Sequence, residues 1–388
     1  MILNPLSNQV GGHDGVLSMG EDNEIIVKPA LPQELKFYEE SVLHAELASW
    51  MPTYYGTLTL TRNQLPGQDG EQTTITSHPP TIKALNGYAL SDMMAASSLE
   101  KQDDSAAADV VAAAAVAIDD GARDDECICL ENVSLGFKKP CVLDLKMGTQ
   151  LYDDDASEEK KARLAAVAAR TTSLPLGFRM TGFEVYDSEK DDFTKYSKQY
   201  GKAMTEETVL DGFRKYFAAK LGPERMRLII ERFINDLTDF LSTIETQELR
   251  MRSSSLLMVY EGDAEAFDAG LELEQEKIAA VVARAQAHLG RTGHEQEGED
   301  EEDEEDEDED ENEDENEDEE DEDYEDYEDD EDDGEVAQKV TDMRLIDFAH
   351  STWTPGLGPD EGVVKGVKSA LDLFEKLLQE DYPTEDDA

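Results

Sequence analysis

The chain is 388 residues long and carries 93 acidic against 34 basic side chains, a formal charge of −59. Thirty-four of the acids lie between Glu295 and Glu335, a stretch without Lys or Arg, too charged and too poor in apolar residues to offset the cost of ordering its backbone. Without them 59 acids still face 34 bases, which excludes a non-specific nucleic-acid binder and requires any anionic ligand to be held by a local basic pocket.

Cysteine usage and hydropathy narrow the class further. Cys127, Cys129 and Cys141 are an odd, low count, which points to a reducing compartment and ordinary thiols. The amino terminus has no signal-peptide pattern, and no apolar run reaches spanning length; Ala106 to Ala117 is too short and contains Asp109. A soluble intracellular protein is expected.

In chain order, the first sixty residues read as strands and turns, with Gly11, Gly12, Gly15 and Gly20 between short apolar pieces. Ile25 to Val27 is a β-branched run ending at Lys28. A helix is expected over Glu34 to Met51, where Leu35, Tyr38, Val42 and Leu43 recur at helical spacing, and a strand over Tyr54 to Leu60. Residues 61–126 turn polar and then alanine-rich, as expected of a loop insertion with at most a transient helix over Ala106 to Ile118. Strands return at Cys127 to Val133 and Pro140 to Met147, joined through Gly136. A helix with an acidic start spans Ala156 to Arg170, and a strand with a bend at Gly182 spans Gly177 to Tyr186. Thr205 is the expected N-cap of a helix bearing Val209, Phe213 and Phe217. Pro223 opens a longer helix whose stripe runs from Met226 through Ile229, Ile230, Phe233, Leu237, Phe240 and Leu241 to Ile244. A buried strand over Leu256 to Tyr260, a helix over Ala264 to Leu289, the acidic stretch, a strand over Met343 to Ile346 and a helix over Val364 to Leu378 complete an α+β body.

Chemistry concentrates in Pro140-Cys-Val-Leu-Asp144-Leu-Lys146-Met-Gly148. A carboxylate and an ammonium two residues apart on a strand share one face, and the glycine allows a turn or close approach. Alone, this is equally an edge-strand ion pair. The stretch resembles the PxxxDxKxG signature of the inositol polyphosphate kinase family. Ser254-Ser255-Leu256-Leu257 resembles that family's SSLL element, and Ile346-Asp347-Phe348-Ala349-His350 its IDFA element, in the family's order. Lys28, the segment Glu34-Leu35-Lys36-Phe37-Tyr38 and Tyr54-Tyr55-Gly56 look like its small lobe. The glycines Gly11-Gly12-His13-Asp14-Gly15 are not a full G-x-G-x-x-G, and the family's own loop is similarly loose. His350 and Asp360-Glu361-Gly362 favour the multikinase branch of fungal type. The resemblance covers most of residues 9–60, 127–262 and 342–380.

The resemblance implies a two-lobed fold, distantly protein-kinase-like, with ATP between a small lobe (1–133) and a large lobe (134–388), interrupted by the acidic insertion at 294–335. It implies transfer of the γ-phosphoryl of ATP, with Mg2+, to inositol tris- and tetrakisphosphates, towards the pentakisphosphate. Lys28 would hold the α/β-phosphates, and Glu131 to Val133 would form the adenine hinge. Asp144 would contact the ribose, and Lys146 would stand between substrate and the transferred group. Asp347 would bind the metal, with Ser254 close to it. Lys160, Lys161, Arg163 and Arg170 would receive substrate phosphates; on the other reading the first three form a solvated helix face paired to Glu158 and Glu159. His350 would donate to a phosphate or hydroxyl, or be a structural histidine. A monomer of nucleus and cytoplasm is expected. A rival reading makes the acidic stretch a scaffold for basic proteins or transcription factors, with or without kinase activity. A protein kinase is disfavoured because no H-R-D or D-F-G set is present.

Overall fold

The structure, a computed structural model, describes residues 3–5, 16–20, 23–64, 71–76, 125–292 and 338–382. The Gly11 to Gly15 turn, the alanine-rich stretch and the acidic stretch lie outside the described residues. The chain divides into two compact units, Met1–Asp268 with Gln338–Ala388, and Ala269–Ala337. Both sheets that follow belong to the first.

The first sheet begins with β1 (Leu3–Pro5), β2 (Leu17–Met19) and β3 (Ile25–Pro29). After helices α1 (Pro32–Ser41) and α2 (Ala45–Ala48) come β4 (Tyr54–Gln64), β5 (Glu71–Thr76) and β6 (Asp125–Glu131), giving the antiparallel order β1-β2-β3-β6-β4-β5. Its core is Leu17, Met19, Ile25, Val27, Leu58, Cys127 and Cys129. The helix expected over Glu34 to Met51 stops at Ser41 and resumes for one turn at Ala45. β4 and β5 pair from Thr59↔Thr76 to Gln64↔Glu71, inside the segment read as a loop insertion. The three cysteines are buried and form no disulfide with one another.

Residues 132–139 carry the chain from β6 to β7 (Pro140–Met147), the central strand of the second sheet. Helices α3 (Glu158–Ala169) and α4 (Ser173–Leu176) lead to β8 (Phe178–Asp187), and β9 (Asp192–Tyr196) forms an edge. Helices α5 (Lys198–Lys202), α6 (Val209–Tyr216) and α7 (Pro223–Ile244) precede β10 (Leu249–Met251) and β11 (Ser255–Glu261). After α8 (Ala264–Thr292), β12 (Thr341–Ile346), β13 (Ser351–Trp353) and α9 (Glu361–Asp381) close the chain. The sheet order is β12-β11-β7-β8-β9, with β10 and β13 a separate antiparallel pair. The bend expected at Gly182 is a register shift: Asp144 faces Gly182 while Leu145 faces Met180, so Thr181 is the extra residue of a bulge. α6 begins at Val209, after a turn in which the Thr205 amide donates to Thr208 Oγ1; Thr205 is therefore not its cap. Leu241 is only partly covered, the rest of the α7 stripe being buried. Among the described residues no helix is long and apolar enough to cross a membrane.

Two contacts set where the cleft can form. Phe37 of α1 stacks on Phe348 at 4.6 Å and on Trp353 at 4.9 Å, which fixes the small-sheet helix to the turn after β12. α9 lies so close to the start of β8 that a Cβ at Gly366 would stand 2.3 Å from the Gly177 carbonyl oxygen. Gly366→Ala is expected to cost about 1–3 kcal/mol of stability, because backbone must move to admit the methyl group. Denaturant unfolding checks this against the parent protein. On α7, burial and the nearby Asp342 and Asp239 carboxylates push Asp236 up to about 6 from 3.8. A raised carboxyl pKa means stability present at low pH and lost as pH rises from 3.8 through about 6. Asp236→Asn is therefore expected to raise the unfolding free energy at pH 8, on the order of 1 kcal/mol after screening by water, and with it Tm, and to change nothing at pH 3.5.

Candidate active site

β3 alternates, so Val27 enters the core and Lys28 points to the opposite face. There its ammonium lies 2.8 Å from Glu34 Oε1 and 2.6 Å from Asp347 Oδ1. Glu34 stands in the first turn of α1 and is buried, and its Oε1 also accepts the Phe348 amide at 3.2 Å. Burial works against the charge on Lys28, but Asp347 and Glu34 outweigh it and hold its pKa above the ordinary lysine range. Sequence reasoning missed the role of Glu34. An acid six positions after a strand lysine is unremarkable until the helix turns it back.

The Asp144–Lys146 pair is brought to Asp347 by strand register. Ser255 of β11 is flanked by Lys146 on β7 and by Ile346 on β12. Asp347, the next residue, thus begins two strand spacings, about 10 Å, from the β7 backbone. Its charge acts on both Asp144 and Lys146. Asp347 has φ 66°, a left-handed conformation that Asp tolerates better than most residues, and such backbones collect at functional sites. Burial pushes the Asp144 carboxyl up despite Lys146 beside it, and burial lowers Lys146 despite Asp144 and Asp347. The Ser255 hydroxyl faces the Asp144 carboxyl and opposes the effect of burial on it, but neither Asp144 Oδ1 nor Ser255 Oγ has a hydrogen-bond partner of ordinary geometry. The Lys146 ammonium rests on the Ser253 carbonyl oxygen. Further along the same face, Val142, Val259 and Val133 form a buried apolar patch with Phe137 and Leu257 against it.

Next to this pair stands a basic wall that sequence reasoning did not assemble. Arg179 of β8 lies directly opposite Lys146 in the ladder, two like charges side by side, which a sheet ordinarily avoids. Arg179 is buried, and its Nε and Nη1 have no hydrogen-bond partner. Lys198 bears electrostatically on Asp144 and Lys146, and Arg179, Lys198 and Arg170 all act on Lys202, whose pKa burial and these cations lower. None of Arg170, Arg179, Lys198 and Lys202 forms an ion pair among the described residues. Arg170 is among the residues expected to receive substrate phosphates; the only signal of the other three in the sequence is composition, since Arg179 and Lys198 are nineteen positions apart.

The remaining predicted residues separate into groups. His350 Nδ1 lies 2.9 Å from Asp153 Oδ2, and the Lys160 ammonium 3.7 Å from the same oxygen. Lys161 turns to Glu158 at 3.1 Å, as the solvated-face reading has it, while Arg163 is exposed. Val133 belongs to the apolar patch, whereas the Glu131 carboxylate accepts the Thr53 amide and hydroxyl at 3.1 Å and pairs with Lys339 at 3.4 Å. Ser254 is fully buried with its hydroxyl 3.1 Å from that of Ser351, so the serine facing the pair is Ser255. That is a correction to the expectation for Ser254: neighbouring residues on a strand face opposite ways.

The donor set bears on metal binding. Among the described residues no group of three or more His, Cys, Asp or Glu side chains could hold an ion by itself. Asp347, beside a cation-rich wall, fits an ion that takes one or two carboxylates and completes its shell with phosphate oxygens and water, as Mg2+ does.

Comparison with known proteins places this geometry. Residues 127–375 match the family described as inositol polyphosphate kinase. The chain is similar to an inositol polyphosphate multikinase of Saccharomyces cerevisiae, 31% identical over 402 residues, covering 96% of this chain and 97% of that one. It is also similar to an inositol polyphosphate multikinase of Schizosaccharomyces pombe, 30% identical over 253 residues, covering 65% and 77%. Among solved structures, that of the inositol phosphate multikinase of S. cerevisiae in complex with ADP and Mn2+ superposes with a TM-score of 0.55 at 27% identity, covering 92% of this chain and 99% of that one.

Removing Glu34 tests the ion triad. Glu34→Ala leaves the Phe348 amide without its acceptor and Lys28 with one carboxylate fewer, and is expected to cost about 2–4 kcal/mol at pH 7. Glu34→Gln keeps the acceptor and is expected to cost less; urea unfolding of both variants checks the order.

Proposed function

The chain belongs to the inositol polyphosphate kinase family, and on that premise we propose that it transfers the γ-phosphoryl of ATP to ring hydroxyls of inositol tris- and tetrakisphosphates. The observation that carries this reading is the wall of Arg170, Arg179, Lys198 and Lys202, without an ion pair among the described residues, of which Arg179 and Lys198 bear on Lys146, in an acidic protein. Such a cluster suits a ligand with several phosphates.

Phosphoryl transfer demands positioning and neutralisation more than covalent chemistry. Adenine lies on the patch of Val133, Val142 and Val259, with the backbone of 131–133 at its edge. Asp144 takes the ribose through its unpartnered oxygen, and Lys28, already held by Glu34, takes the α/β-phosphates. A divalent metal, Mg2+ in this reading, neutralises and orients the phosphate oxygens when bound with ATP. Asp347 is the side chain that holds it. Lys146 stands between the nucleotide side and the basic wall, so its ammonium faces the charge that moves from donor to acceptor. His350 and Lys160, joined through Asp153, bound the acceptor site on the side of the turn after β12. The family's usual course, from the 1,4,5-trisphosphate towards the pentakisphosphate, is the course proposed. The acidic stretch serves separately as a contact for basic proteins.

Purified protein with Mg-ATP and a panel of inositol phosphates, followed by chromatography and phosphorus NMR, tests the activity. ATP-dependent phosphorylation is expected, with Asp347→Asn and Lys146→Met each lowering turnover by about 100-fold or more. Lys198→Ala is expected to raise the KM for inositol phosphate about tenfold with KM for ATP unchanged. Deletion of 295–335 is expected to leave turnover within about twofold, since Lys28, Asp144, Lys146 and Asp347 lie elsewhere in the chain. Full turnover in Asp347→Asn would overturn the assignment.

A further inference from the structure

Lys146 and His350 converge on one short segment, residues 251–254 between β10 and β11. The Lys146 ammonium rests on the Ser253 carbonyl oxygen. The Met147 amide donates to the Ser254 carbonyl at 2.9 Å, and the Arg252 amide donates to the His350 carbonyl at 3.2 Å. Ser253 itself has φ 65°, a left-handed conformation unfavourable for serine. A strained residue persists only where its surroundings over-determine it, so something must hold this turn.

The holding group is Asp360. Its Oδ2 accepts the Met251 amide at 3.1 Å and Arg252 Nη1 at 2.7 Å. Its Oδ1 caps α9, accepting the Gly362 amide at 3.1 Å and the Val363 amide at 3.4 Å. Both side chains of the Arg252–Asp360 pair are nearly buried, at 11% and 8% exposure, so water screens the pair little. α9 is in turn held against the end of β7: a Cβ at Gly362 would stand 2.5 Å from Thr149 Oγ1. Asp360 thus joins the helix that backs β7 to the turn on which Lys146 rests.

We propose that the Arg252–Asp360 ion pair is a positioning device, setting the Ser253 carbonyl, and through it the reach of the Lys146 ammonium, with His350 held to the same turn. Neither residue touches the reacting groups; both act through the backbone of 251–254. The inference rests on the kinase reading, in which Lys146 meets the transferred group. Misplacement of such a group by about 1 Å costs up to about 100-fold in rate, whereas nucleotide binding through Lys28 and the apolar patch is untouched.

The test is steady-state kinetics of Arg252→Gln, Arg252→Lys and Asp360→Asn in the full chain, each checked for folding by its thermal transition. Arg252→Gln is expected to lower kcat about tenfold or more with KM for Mg-ATP within about twofold, and Arg252→Lys to recover part of the loss. Asp360→Asn keeps one acceptor oxygen, enough for the helix cap, but turns an NH2 donor toward the Met251 amide and Arg252, and gives the same split should Arg252→Gln fail to fold. A folded Arg252→Gln or Asp360→Asn with the parent kcat, while Lys146→Met is inactive, overturns the positioning role alone. Full activity in Lys146→Met overturns the reading beneath it.

Discussion

Lys28 stands on a strand of the small sheet, and its ammonium is divided between Glu34, from the helix that follows, and Asp347, 319 positions further on. Taking an ammonium out of water costs several kcal/mol unless its partners are close and well oriented. Here one carboxylate comes from the same sheet's helix and the other from the end of a strand in the second sheet, so the ion pair forms only when the two sheets meet correctly. Phe37, stacked on Phe348 and Trp353, supplies apolar contact that is not directional enough to set the same register. The ions select the geometry, and the rings stabilise it. The triad also carries one net negative charge, Lys28 against Glu34 and Asp347.

Opposite this small negative excess, the face of β7 and β8 holds an excess of positive charge, and the two meet around Lys146. A fold selected for stability alone would not set Lys146 opposite Arg179 in a ladder, leave Arg179 donors and Asp144 Oδ1 unpartnered in the interior, and strain Ser253 and Asp347. Each feature costs free energy in the empty protein. A ligand carrying several phosphates would offset the like charges and meet the unpartnered donors, whereas the backbone at Ser253 is held by Asp360. The costs lie together on one sheet face, which is the physical reason to read that face as a site and not as a set of accidents.

Much of this was legible in the sequence, and the illegible part has one cause. β7 occupies the residues Pro140 to Met147 that its apolar run indicates, and α7 begins at Pro223 as its chemistry requires. Asp144, Lys146 and Asp347 can be singled out in the sequence because a strand's face can be counted by twos and because their surroundings follow a family's pattern. Glu34, Arg179, Lys198 and Lys202 cannot, because their meaning depends on which strands are neighbours and in what register. The side chain that faces Asp144 is that of Ser255 and not of Ser254, a difference of one residue that reverses the face. The helix expected through Met51 breaks after Ser41, where His44 stacks on Trp353 at 3.5 Å: a tertiary contact overrides local propensity. The short strands β10 and β13 carry no period long enough to read.

A polyanion binding to a protein of charge −59 poses an apparent contradiction, and its resolution is one of length scale. At physiological ionic strength a charge is felt over about 8 Å before counter-ions mask it, and less effectively masked only where side chains are buried. The cluster around Lys146 needs to prevail only within that radius. There, Arg179 is buried and Lys146 half-buried, while neighbouring acids are either partnered, as Asp153 is by His350 and Lys160, or driven toward their neutral form by burial, as Asp144 is. Distant acids slow the arrival of an anionic substrate more than they weaken its hold, since steering works over long range and contact does not. The overall charge therefore sets how often substrate arrives, and the cations that act on Lys146, Arg179 and Lys198 among them, set whether it stays.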